Sequence, residues 1–176
     1  MALQSDFNSD EWRILRDALT LVTVAVSAAS PSGFVGTFRE ALAPGNVVRE
    51  ALQGSNELLK ALCERSQLRM AGEDLREEIP RTDLDTFRDQ VIREAKTHCR
   101  TGMAILERKG FSEDRLAYGR FLLQVALEVA QAAREPSPTG YEEDPISDPE
   151  RLLLAELATL LEQPTDGILQ LSLIHI

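Results

Sequence analysis

The side chains of this chain best placed to do chemistry are acidic. Glu135, Glu142, Glu143, Asp144, Asp148 and Glu150 fall within one short stretch, with Tyr141 among them. Hard cations such as calcium or magnesium take several oxygen ligands from closely spaced carboxylates. Glu142, Glu143, Asp144 and Glu150 are therefore the candidate metal ligands. The spacing is not that of an EF-hand, which needs alternating Asp or Asn, a central glycine and a closing glutamate. Pro136, Pro138, Pro145 and Pro149 stiffen the stretch, and Asp148 and Glu150 already suit a helix N-terminus. A solvated acidic loop is the plainer reading, and a weak cation or partner site is its alternative.

The other reactive residue types are scattered. His98 stands beside Cys99, but neighbours on a helix point about 100° apart and do not readily share one metal. A half-buried histidine with a hydrogen bond is expected there. Cys63 and Cys99 have no CxxC partner, and each lies on an apolar stripe, so both read as small buried hydrophobes in a reducing compartment. Gly33-Phe34-Val35-Gly36 is a glycine turn with no GK[ST] after it and no strand before it, so it makes no phosphate cradle. Arg13, Arg16, Arg120 and Arg151 read as isolated, solvated or salt-bridged surface residues. No nucleophile–base pair nominates a catalytic residue, and no cofactor is indicated.

Charge narrows the partners. The net charge is −10 and the pI about 4.7. Such a chain lacks the cationic groups that displace counterions from nucleic-acid phosphates, and it is repelled by an anionic membrane surface. Ala18–Phe38 carries no charge and is long enough to reach across a bilayer. Pro31, Ser32 and Gly33 cut it, and Thr20, Thr23, Ser27 and Ser30 dilute it. A central core helix is the expected form, with membrane association through residues 18–38 as a weaker alternative. The opening MALQSDFNSDE is acidic where a secretory leader is basic, which points to the cytoplasm.

The elements that must position these residues are helical. Asn8 and Glu11 form a capping box, and Phe7 with Trp12 a hydrophobic staple. Trp12, Leu15, Leu19, Val22, Val26 and Ala29 then recur at helical spacing. Helices are expected over 8–30, 34–42, 46–66, 82–109, 113–134 and 148–162, with Gln67–Arg81 as a polar connector. Lys109-Gly110 is a helix stop, and Ser147 with Glu150 a second capping box with proline in the first turn. An apolar share of 43% supports a real core. The expectation is one all-α domain over residues 1–163, an antiparallel bundle of five or six helices. Residues 164–176 read as a disordered or artefactual tail. Leu171–Ile176, LSLIHI, resembles a translated transposase end sequence of the kind used in sequencing libraries. On that reading the natural chain departs from this one near Gln170, and His175 carries no meaning.

The stretch FLLQVALEVAQAA, an interruption, then ISDPERLLLAELATLL resembles the tellurite-resistance TerB-like domains. Those have an alanine-rich helix, an acidic turn, an I-S-x-x-E start and a leucine helix. The matching start here is Ile146, Ser147 and Glu150. The resemblance covers about a quarter of the chain and implies an all-helical fold with cation binding through Glu135 and Glu150. Where that family places an Ala-Asp-Gly turn, this chain has Arg134-Glu135-Pro136 and a long insert. The opening Glu11-Trp12 to Leu15 and Ala18 is similar to that of bacterial all-helical proteins, and the arginine-over-lysine bias fits a GC-rich bacterial genome. The function these readings favour is a non-enzymatic, cytoplasmic stress-response or protein-interaction module, with a protein partner or self-association. A cation-binding TerB-like domain using the acidic loop over 135–150 is the alternative.

Overall fold

The helix Ser9–Ala29 is buried over most of its length, and four other described helices pack against it. A computed structural model describes residues 1–29, 45–79, 83–132 and 146–164. After a 3₁₀ turn at Gln4–Asp6 come α1 (Ser9–Ala29), α2 (Asn46–Gln53), α3 (Glu57–Cys63), α4 (Arg65–Glu78), α5 (Leu84–Arg108), α6 (Ser112–Ala132) and α7 (Asp148–Leu160). The all-α class is as expected, and among the described residues every regular element is helical. Among the described residues there are seven α-helices, roughly consistent with the expected bundle of five or six; one division and one added helix have the local reasons given below. The helix expected over 34–42 lies outside the described residues, as do residues 165–176 of the expected tail.

α1 packs against α4, α5, α6 and α7. Every residue from Leu15 to Val26 is buried, because apolar or small side chains occupy nearly the whole circumference. This accounts for the uncharged run beginning at Ala18 as far as Ala29. No described helix is long and apolar enough to cross a membrane. Two glycines allow the helices to close in. A Cβ on Gly102 of α5 would lie 3.0 Å from the Tyr118 hydroxyl, and one on Gly119 of α6 would lie 2.7 Å from the Leu161 carbonyl.

The helix ends follow their local chemistry. Asn8 Oδ1 accepts from the Glu11 amide at 2.9 Å, and Glu11 accepts from the Asn8 amide at 3.1 Å. Phe7 stacks near Trp12 with centroids 6.0 Å apart. At the end of α5, Gly110 takes φ 78. Its amide reaches the Glu107 carbonyl at 3.0 Å, and the Phe111 amide the Leu106 carbonyl at 3.0 Å, a Schellman motif. Phe111 then packs on Phe7, 5.9 Å away. The end of α7 repeats the motif with Glu162 in the left-handed position at φ 54, where the Gln163 amide reaches the Ala158 carbonyl at 2.9 Å. An ion pair from Arg115 holds Glu162 there.

The helix expected over 46–66 is instead two. Gly54 ends α2 in an extended conformation, and Asn56 caps α3 by accepting from the Leu59 amide at 3.0 Å. Asn56 also donates to Asp114 at 2.9 Å, so a tertiary bond fixes the break. The connector expected over Gln67–Arg81 is mostly the helix α4. Its core stripe is Ala71, Gly72 and Leu75, followed by Ile79. That stripe is small and looks polar in sequence, while Leu, Arg, Met, Gln and Glu around it favour helix. Three leucines of the long helices, Leu84, Leu116 and Leu152, are exposed. In α7 the buried stripe runs through Leu153, Leu154, Leu157 and Leu161, which turns Leu152 outward.

Candidate functional site

Of the acidic stretch, only Asp148 and Glu150 fall among the described residues. Glu142, Glu143 and Asp144, like Glu135, lie outside the described residues. Glu150 is buried and acts in its capping box, where Oε2 accepts from the Ser147 amide at 2.9 Å and hydroxyl at 2.6 Å. Its Oε1 is buried without a hydrogen-bond partner. Among the described residues, no three His, Cys, Asp or Glu side chains gather as metal ligands.

His98 and Cys99 diverge on α5. Cys99 is fully buried in the core. His98 is half-buried, with Nδ1 3.0 Å from the Glu94 carbonyl. Burial pushes the thiols of Cys63 and Cys99 up to about 12, because a thiolate loses its hydration there. The Gly33–Gly36 turn lies outside the described residues. Arg120 is exposed, and Arg151 donates to the Ile146 carbonyl at 2.9 Å.

A polar cluster lies where α4 covers the first turns of α1. Arg16, expected at the surface, is 4% exposed, and Asp17 is 6% exposed. Arg16 Nε donates to Asp17 at 2.7 Å, and its Nη2 pairs with Asp74 of α4. Trp12 Nε1 donates to Gln67 Oε1 of α4 at 3.1 Å, and Arg13 donates to Glu78 at 2.6 Å. Each links α1 to α4 across more than fifty residues of sequence. The signal in the chain was a charged pair set between Leu15 and Ala18, where the uncharged run of the helix begins. Its partners on α4 carried no signal of their own.

Burial governs the electrostatics. It raises the Asp17 carboxyl above its usual range, although Arg16 and the more distant His98 pull it down, and Asp74 adds to the rise. It also works against the Arg16 charge, but Asp17 and Asp74 outweigh it and leave the guanidinium more firmly protonated. Tyr118 of α6 is fully buried, and its hydroxyl donates to the Leu15 carbonyl at 3.1 Å. Burial raises it well above its ordinary value, with Cys99 and Asp17 adding to the effect. Thr20 Oγ1, one turn beyond Arg16, is buried without a hydrogen-bond partner. Chemically the cluster is an ion-paired joint: Arg16 accommodates two carboxylates, one on its own helix and one on α4. The chain matches no protein-family model, no curated protein and no solved structure.

Proposed function

We propose that this chain acts without catalysis, as a helical protein-interaction module of the reducing cytoplasm serving a stress response. The observation that carries the reading is where the reactive groups go. Cys63, Cys99 and Tyr118 are buried with their protons held tightly, and Arg16 and Asp17 are paired inside the fold. Chemistry of those types needs an accessible group with a pKa near the working pH; here they serve structure. Two free, buried cysteines fit a reducing compartment. The test is affinity capture with the immobilised chain, competed by free chain. A saturable, competable partner is expected. A chain that stays monomeric and captures nothing defeats the reading.

A cation-binding reading, of the kind the TerB-like resemblance implies, has one observation in its favour. Glu150 keeps a buried carboxylate oxygen with no hydrogen-bond partner, beside the acidic stretch that contains Glu142, Glu143 and Asp144. Calorimetric titration with calcium, magnesium and zinc decides it. Heat and a thermal shift that Glu150→Gln abolishes support it; no heat at millimolar metal ends it.

A further inference from the structure

α4 differs from the other helices around α1 in what holds it. Among the described elements it packs chiefly on α1 and on its sequence neighbour α3. Its buried face is small: Ala71, Gly72 and Leu75, with Ile79 just beyond its end. Its N-cap, Glu64, makes no side-chain bond to the helix. The joint to α1 is polar along much of its length, through Trp12 to Gln67, Arg13 to Glu78, and Arg16 to Asp74. By contrast, the Leu15 side of α1 meets α5 and α6 at Gly102 and Tyr118, where the contact is close and largely apolar.

The two kinds of contact respond differently to opening. Separating α1 from α5 or α6 exposes apolar surface, which is costly throughout. Lifting α4 returns Arg16, Asp17 and Asp74 to water, and their recovered hydration offsets much of the lost pairing. Arg13 and Glu78 are about half exposed, so their pair adds a small share that salt screens. Low-stability segments of this kind open without global unfolding.

We propose that α4 is a releasable strap, held shut over the first two turns of α1 by the Arg16–Asp74 and Arg13–Glu78 pairs, and that its opening uncovers Trp12 and the Arg16–Asp17 pair. The strap is sensitive to ionic strength, because Asp74, Arg13 and Glu78 are partly solvated, whereas α5 adds the Glu11 pairs with Arg108 and Lys109 to a broad apolar contact with α1.

The chain reports on the strap directly, since Trp12 is its only tryptophan. The experiment is hydrogen exchange by mass spectrometry on the full chain, at about 20 mM and about 500 mM salt, with acrylamide quenching of Trp12 in parallel. Amides of residues 65–78 should exchange about tenfold faster at high salt while those of α5 and α6 stay protected, and Trp12 quenching should rise together with α4 exchange. Asp74→Asn should produce the same change at low salt, and Glu78→Gln a smaller change in the same direction. Exchange of α4 in step with α5 and α6 at both salt levels overturns the proposal. So does α4 exchange that salt leaves unchanged. The wild-type salt comparison stands whether or not either variant folds.

Discussion

The Tyr118 hydroxyl donates to the Leu15 carbonyl from a fully buried position, 3.1 Å away, and so joins the middle of α6 to the central helix. A buried phenol needs a partner, and the main chain of α1 supplies it. Tyr118→Phe should cost about 1 kcal/mol, read as a lower urea midpoint with an unchanged slope. The fold tolerates the loss because Leu15 O keeps its place in the α1 helix.

Arg16 and Asp17 should show strong coupling. Arg16→Met leaves Asp17 buried without its cation, a change that costs about 3 kcal/mol or more. The double variant Arg16→Met/Asp17→Leu removes both buried charges and should recover most of that loss. A double-mutant cycle from chemical denaturation checks it. Additive effects would mean that the two side chains do not depend on one another.

Glu128 of α6 caps α2 from outside. Its carboxylate accepts from the Asn46 amide at 2.6 Å and the Val47 amide at 3.2 Å. Gly45, the residue before α2, leaves room for it: an added Cβ would stand 2.2 Å from Oε2. Glu128→Ala should cost about 1 kcal/mol, as the loss of an N-cap does. Gly45→Ala should displace the same carboxylate. The double variant should then lose little more than either single one, because the cap can be removed only once. Thermal denaturation of the three variants measures this.

The thiols should be silent in the native state. Cys63 and Cys99 are raised by burial from 9.0 to about 12, so an Ellman reagent at pH 8 should react only as fast as the chain opens. The sign for stability follows from the same shift. The folded thiols hold their protons more tightly than the unfolded ones, so their contribution is complete below pH 9 and is lost as pH rises from 9 to about 12. Cys63→Ala/Cys99→Ala should flatten the fall in melting temperature over that window. A fall of equal steepness would assign it to other groups.

Glu150 shows how far local reading reaches. Its role as the box glutamate was legible from Ser147 three positions earlier, and the bonds are there. The Asn8–Glu11 box and the Lys109-Gly110-Phe111 stop were legible for the same reason. Each depends on bonds between residues a few positions apart, so spacing alone encodes it. The candidate ligands Glu142, Glu143 and Asp144 lie outside the described residues, and the sequence reading of them remains a proposal.

What the amino-acid sequence determined by itself was the helical class, the buried character of α1 and most of the helix ends. These follow from side-chain periodicity and from capping bonds that span a single turn. Only the tertiary structure decided that Arg16 is buried against Asp74, 58 positions away, and that Glu128 caps a helix 82 positions earlier. It also decided that a polar connector is the helix α4, and that Gly54–Asn56 divides one expected helix into two. A guanidinium or carboxylate has the same appearance in sequence whether it meets water or a partner. Which it meets depends on the helix that packs over it, and that choice is made by the burial of surfaces that are far apart along the chain.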